Sequence, residues 1–484
     1  MQRPEKRIMS PITVIYIINI FVSIFIIFAE RKRPSATIAW VMLLFVLPGI
    51  GIVLYIMGSQ LLARYRLSSL SSSLHFRDNP FLVDQKRSIN EGSFHFVNTQ
   101  AASWRQLIKF NQEYASSYLT QNNEVKVFTS GQECFDSMYE DLRAAKTSIN
   151  MEFFIMKPDY IGLEIIKILT EKAKEGVKIR LLLDAMGCRR MRKKHFEELR
   201  RAGGQVAFFF PARIFKLDLK LNYRNHRKLL VIDNEIAYIG GLNAAKEYVG
   251  DSKKFKGWRD THLRIRGGSV FDIDSRFIMD WNFANGQEIE LNPADYPVYT
   301  SLDCALQVVS SGPESAETEI KFAYLKLINS AKRSICIQSP YLVPDESIFE
   351  ALKTAALSGL DVKIMVPPMP DHPFVYWVTY QNLGTLIDYG VKAYIYEKGF
   401  LHSKTIVVDD EAASVGSANF DIRSFELNFE CNVFAYDREL AITLRKAFEE
   451  DIKNSRRLTP EMYARRSRWI KIKESVSRLI SDIL

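Results

Sequence analysis

Histidine and cysteine are scarce in this chain, and neither is clustered. Seven histidines and five cysteines in 484 residues, with no group of His, Cys and carboxylates at ligand spacing, argue against a bound metal. Cys134, Cys188, Cys304, Cys336 and Cys431 form no C-x-x-C and no pairing rhythm, so they read as reduced structural thiols. A P-loop, a Gly-x-Ser-x-Gly elbow and a His-Glu-x-x-His helix are also missing, which removes the common nucleotide, serine-hydrolase and zinc-peptidase readings. No cofactor is expected. Charge is not extreme: +9 at pH 7 suits an anionic surface or substrate without choosing between membrane and nucleic acid. With 47% hydrophobic residues, broad disorder is excluded and the length allows about two or three domains.

What the chain does have is a repeat. His226-Arg-Lys228-Leu-Leu-Val-Ile-Asp233 returns as His402-Ser-Lys404-Thr-Ile-Val-Val-Asp409, followed at the same offset by Gly240 with Asn243 and by Gly416 with Asn419. Flanking segments match as well: Ala145 to Glu152 with Ala331 to Gln338, and Val177 to Leu182 with Val362 to Pro367. In each half, β-branched runs alternate with helical patterns, which predicts an α/β fold with one helix-flanked mixed sheet per half. The boundaries that follow are a linker over 61–123, a first half over 124–295 and a second half over 296–484. The second half ends in an amphipathic helix whose Ile472, Val476, Leu479, Ile480 and Ile483 share one face.

Alternate residues of a strand share a face, so His226 pairs with Lys228 and His402 with Lys404. An imidazole to attack or shuttle protons, a fixed positive charge, and a neutral donor such as Asn243 or Asn419 suit cleavage of a phosphodiester. Asp233 and Asp409 have the wrong parity for that face and sit in turn sequences, Asp233-Asn-Glu and Asp409-Asp-Glu, so they read as holding the turns. A histidine that works on phosphorus needs an acid on its other nitrogen. Asp260 is the candidate for the first half and Glu430 for the second.

The N-terminus carries two long uncharged runs, Ile8 to Ala29 and Ile38 to Met57, around the basic loop Glu30 to Arg33. They predict a hairpin of two transmembrane helices, about 8–29 and 38–58, within a membrane anchor spanning 1–60. Arg3, Lys6, Arg7, Arg64, Arg66 and Arg77 outweigh Arg31, Lys32 and Arg33, which places both ends and the catalytic halves in the cytoplasm of a multi-pass protein of the cell membrane. Two further segments suit lipid. Cys188 to Lys194 packs five cations for headgroups, and His372 to Tyr380 is aromatic enough for an acyl-chain entrance or for core.

The paired H-x-K-x4-D motifs with trailing G-x-x-N resemble the phospholipase D superfamily. The order of hydrophobic hairpin, YRNHRKLLVIDNEIAYIGGLN, WRDTHLRIRG, QSPYLVPDE and LHSKTIVVDDEAASVGSANFDIRSFELNFE is similar to that of bacterial cardiolipin synthases, over nearly the whole chain. This resemblance implies two pseudo-symmetric halves around one shared site. Its catalytic motif residues are His226, Lys228, Asp233, His402, Lys404 and Asp409, and Asn243, Asn419 and Ser417 bind phosphate. Where the second half has Ser417 the first has Gly241, which leaves the first half without that hydroxyl. The implied reaction transfers a phosphatidyl group from one phosphatidylglycerol to another through a phosphatidyl-histidine, with His226 as nucleophile and His402 as acid and base. Sequence symmetry alone leaves that choice open. The implied partners are phosphatidylglycerol and cardiolipin; no nucleic acid is expected, and a homo-oligomer is left open. A membrane-bound hydrolase or nuclease of the same superfamily and a catalytically idle lipid-binding scaffold are the alternatives.

Overall fold

The structure, a computed structural model, describes residues 10–29, 34–58, 80–210, 223–315, 318–369, 371 and 373–480. The cations used above for orientation, from Arg3 to Arg7, Arg31 to Arg33 and Arg64 to Arg77, lie outside these residues, as do His372 and Ile483.

Runs such as Lys228–Ile232 and Thr405–Val408 are buried along their whole length, as expected of strands covered on both faces. In the first half the strand order from the outer edge is Gln205–Phe209, Lys178–Asp184, Ser148–Phe153, Lys228–Ile232, Ile236–Gly240, His262–Gly267 and Thr120–Phe128. The second half repeats it with Lys392–Tyr396, Asp361–Val366, Ser334–Gln338, Thr405–Val408, Ala412–Gly416, Asn428–Ala435 and Cys304–Ser311, and adds Ser455–Leu458 at its edge.

The expectation of one sheet per half needs correcting, because the two join. Thr120–Phe128 pairs antiparallel with Cys304–Ser311, Thr120 opposite Leu306 and Asn123 opposite Cys304. Each is the inner edge of its half, and the seam satisfies backbone groups that would otherwise be exposed.

Helices Ser269–Asn285 and Arg438–Lys453 cover one face over a core that runs through both halves, including Phe277, Trp281, Leu306, Cys431, Leu444 and Phe448. On the other face each half keeps its own core. All five cysteines are buried and unpaired. Where a linker is expected, Pro80–Glu91, Thr99–Ser103 and Arg105–Ala115 are helical. Ile89, Leu107 and Ile108 of these helices, with Trp104 between the last two helices, join the second half's core.

The N-terminal hairpin is also corrected. Its described helices are Pro11–Ala29, Pro34–Val46 and Ile50–Gly58, and among the described residues no helix is long and apolar enough to cross a membrane. The second expected span breaks at Pro48, which has no N–H to continue the ladder. The Leu44 carbonyl, four residues earlier, accepts instead from the Asn19 side chain at 2.6 Å.

At the other end, helix Arg468–Ile480 packs on helix Pro373–Ile387 with Glu474 and Ser477 buried. Lys473 lies over the Trp377 ring at 5.1 Å. Trp469, Ile472 and Val476 point outward, 73%, 51% and 50% exposed, so among the described residues this helix docks through Glu474 and Ser477 and turns these apolar side chains outward.

Candidate active site

Each histidine is placed by a short parallel pairing with the opposite half. Arg224–Asn225 pairs with Asn428 and Phe429, and the His226 N–H donates to the Phe429 carbonyl at 2.9 Å. Phe400–Leu401 pairs with Trp258 and Arg259, and the His402 N–H donates to the Arg259 carbonyl at 2.7 Å. The acids are therefore exchanged between halves. His226 Nδ1 lies 3.0 Å from Glu430, and His402 Nδ1 lies 2.7 Å from Asp260. The within-half pairing expected from chain order is wrong, because the two-residue strands just before the histidines pair with the opposite half and set each imidazole against the other half's acid. A carboxylate on Nδ1 fixes the proton there and frees Nε2 for chemistry.

Lys228 and Lys404 are buried, and each ammonium donates to the carbonyl of its own motif histidine. Burial, with Lys404 adding to it, pushes Lys228 down to about 7 despite Glu430. Burial likewise takes Lys404 to about 8 against the pull of Asp260 and Glu430. Each lysine feels both acids, so the two motifs share one electrostatic site. His402 is pushed to about 4 by burial and then by Lys404, with Asp260 opposing. His226 is also lowered, by burial against the pull of Glu430. For Asp260 and Glu430, the rise expected from burial is outweighed by the imidazole and ammonium groups, which hold both carboxyls below the usual range. Burial and mutual repulsion thus disfavour the charges of Lys228 and Lys404, an environment that suits an anion beside them.

The remaining motif residues separate by place. Asp233 and Asp409 sit at the far ends of the motif strands in left-handed backbone, φ 54° and 58°. Asp233 accepts from the N–H groups of Lys146, Thr147 and Ser148 at 2.8, 2.7 and 3.0 Å. Asp409 accepts from Lys332, Arg333 and Ser334 at 2.7, 2.7 and 2.8 Å. Both hold the start of a neighbouring strand, as their parity predicts, and neither faces the histidines.

Asn243 is engaged with the Ile155 N–H at 3.0 Å and the Tyr248 hydroxyl at 2.8 Å. Asn419 donates to Ser424 at 3.2 Å, and its Oδ1 is buried without a partner. The Ser417 hydroxyl accepts from the Cys431 N–H at 3.0 Å, and its carbonyl lies 3.2 Å from His226 Nδ1. Ser417 therefore braces the imidazole and the neighbouring strand Asn428–Ala435. Gly241 is required at the matching place because a Cβ there would lie 2.0 Å from the Asp260 carboxylate.

Several supporting residues escaped the sequence reading. Arg227 is fully buried, doubly bonded to Asp280 at 2.9 and 2.7 Å, and donates to the Glu430 carbonyl at 3.1 Å. Its position inside the repeat was the available signal, masked because Ser403 stands there in the second copy. Trp258, Tyr248 and Phe400 surround His402 with centroids 5.2, 6.1 and 6.1 Å away. His226 meets Phe154 at 4.9 Å. Arg189, Arg190, Arg192, Lys193 and Lys194 are exposed.

Two imidazoles backed by carboxylates, with two buried lysines between duplicated halves, define a phospholipase D-type phosphodiester site. The family described as cardiolipin synthase, PLD-like domain, matches residues 138–253 and 324–452, and a phospholipase D-nuclease N-terminal family matches 17–58. Major cardiolipin synthase ClsA of Bacillus subtilis is 44% identical over 475 residues, 98% of either chain. The cardiolipin synthase of Oceanobacillus iheyensis is 43% identical over 97% of this chain and 98% of its own. A phosphatidylserine synthase structure from Haemophilus influenzae shares the fold at TM-score 0.61 and 16% identity, covering 80% of this chain and 100% of its own. The chain belongs to the cardiolipin synthase family of the phospholipase D superfamily.

Proposed function

We propose that this chain is a phosphatidyltransferase of the membrane that joins two phosphatidylglycerol molecules into cardiolipin and releases glycerol. The observation that carries the reading is the pair of exchanged histidine–carboxylate contacts, which leaves two Nε2 atoms for one substrate beside Lys228 and Lys404. His226 Nε2 attacks phosphorus as the bond to the headgroup glycerol breaks, and His402 gives that oxygen its proton. The terminal hydroxyl of a second phosphatidylglycerol then passes its proton to His402. Its oxygen attacks phosphorus, the phosphorus–nitrogen bond breaks, and His226 leaves neutral.

Lys228 and Lys404 hold the phosphoryl oxygens, with the amides of Asn243 and Asn419 as neutral donors. Asp260 and Glu430 set the tautomers. Phosphatidylglycerol's negative charge offsets the mutual repulsion of the lysines and raises the His402 proton affinity, so substrate itself prepares the acid. The anchor within residues 1–60 holds the chain to the bilayer. The outward Trp469, Ile472 and Val476 give the cytoplasmic halves a second apolar contact with it.

The test uses the purified full chain in vesicles containing phosphatidylglycerol as the sole lipid substrate. Cardiolipin and glycerol are expected in equal amounts. Phosphatidic acid with glycerol would make the chain a hydrolase, and no turnover would leave it a binding protein.

A further inference from the structure

Resting on the membrane reading above, we infer that residues 34–58 form a re-entrant wedge that enters the bilayer and leaves on the side from which it came. Three contacts fold this run back on itself. Pro48 ends helix Pro34–Val46, and Gly49 takes φ +85° in the turn that follows. Gly51 then brings the next helix so close that a Cβ there would lie 2.7 Å from the Leu43 carbonyl. Trp40 and Tyr55, one on each helix, meet edge to face at 5.5 Å. The two helices are antiparallel neighbours, 13 and 9 residues long. At about 1.5 Å per residue each falls well short of the about 30 Å of a hydrocarbon core.

The depth of the wedge can be read from helix Pro11–Ala29. The Leu44 carbonyl at the tip meets Asn19 at 2.6 Å, and Tyr16 stacks on Phe45 at 6.4 Å. Asn19 lies ten residues before Ala29, which is about 15 Å along that helix or about half the core. A carbonyl left open at that depth would be costly, and Asn19 answers it. The outer surface is fit for lipid, with Ile38, Met42, Val46 and Ile50 each about 60–70% exposed. The sequence supplies an independent argument. Both flanks of 34–58 are basic, Arg31, Lys32 and Arg33 before and Arg64 and Arg66 after, and the wedge keeps these two clusters on one side, in place of the two-span arrangement that sets Arg31 to Arg33 opposite both ends.

The test labels single cysteines in the full chain, Lys32→Cys or Ser59→Cys, with a membrane-impermeant maleimide in sealed vesicles and again after detergent. The native cysteines are buried, and the unsubstituted chain controls for them. Cardiolipin formation in the same vesicles confirms that each variant is folded. Both positions are expected to behave alike, labelled together either before detergent or only after it. Opposite behaviour would show that 34–58 spans, overturning the wedge while leaving the transferase reading intact. Recovery of the active chain in the soluble fraction would instead overturn the membrane reading and the wedge with it.

Discussion

The two halves present the same histidine and lysine to the site and support them differently. Behind the first motif strand stands a buried arginine, Arg227, held by Asp280 and by the carbonyls of Glu430 and Ser311. At the same place in the second strand Ser403 makes a hydroxyl pair with Thr261 at 2.7 Å. There the buried cation is Arg259, contributed by the opposite half and bound to Asp451 at 2.9 Å. The histidines differ in their neighbours: His402 sits among Trp258, Tyr248 and Phe400 whereas His226 meets Phe154, and burial lowers the proton affinity of both, that of His402 to about 4 with Lys404 adding to it. An imidazole that holds its proton weakly is, once charged, a strong acid for a departing glycerol. Duplication has supplied two copies of the tools in different surroundings, and the proposed mechanism gives them different work.

The largest effect should separate the histidines. His226→Ala is expected to lose transfer by roughly ten-thousand-fold or more and to form no covalent adduct. His402→Ala should slow both steps, but with a donor whose leaving group needs no proton it should accumulate phosphatidyl-histidine visible by mass spectrometry. An adduct on His402 in the His226 variant would reverse the roles.

The exchanged acids give the next test, with losses of roughly a hundred- to ten-thousand-fold. Because Asp260 serves His402, Asp260→Asn should resemble the His402 variant and still form adduct from the activated donor. Glu430→Gln should lose adduct formation itself. The opposite assignment would restore the within-half pairing.

A pH profile probes the shared cations. As pH rises through about 7 and then about 8, Lys228 and Lys404 lose their charge in the free chain. kcat/KM for phosphatidylglycerol is therefore expected to fall across that window, chiefly through KM. An unchanged profile from pH 6 to 9 would show that neither lysine titrates there.

The smallest effects are on stability. Arg227→Ala leaves Asp280 with Arg276 alone, at 2.6 Å, and the Glu430 and Ser311 carbonyls without their donor, and should cost about 2–4 kcal/mol, whereas Ser403→Ala should cost about 1 kcal/mol. Denaturant unfolding measures both, and equal losses would erase the distinction between the supports.

Much of this was legible in the sequence. The repeat marked each lysine and its histidine, and parity set Asp233 and Asp409 apart, although His226, His402 and Lys404 themselves lie just before the strands Lys228–Ile232 and Thr405–Val408 and not in them. The exchange of Asp260 and Glu430 was not legible, since it depends on two-residue strands at 224–225 and 400–401 too short to leave a pattern. The seam between sheets was hidden for a similar reason: an edge strand reads alike whether or not it has a neighbour. Pro48 and Gly49 were visible, yet the hydropathy of the run outweighed them until the Trp40 and Tyr55 contact showed the fold-back. The C-terminal helix shows the limit of amphipathicity, which identified an apolar face without saying which way it turns.

The exchange of acids between halves also constrains how such a chain could be divided. A fragment ending near Gly286 would keep His226 and Lys228 but leave Glu430 behind, and the complementary fragment would keep His402 and Lys404 without Asp260. Neither fragment contains a complete relay. Two fragments that regain activity on mixing must have rebuilt both the central strand pairing and the two crossings, so recovered turnover would count reassembled molecules one by one. For the same reason, a gene encoding one half could gain this chemistry only by making a protein that meets its own copy.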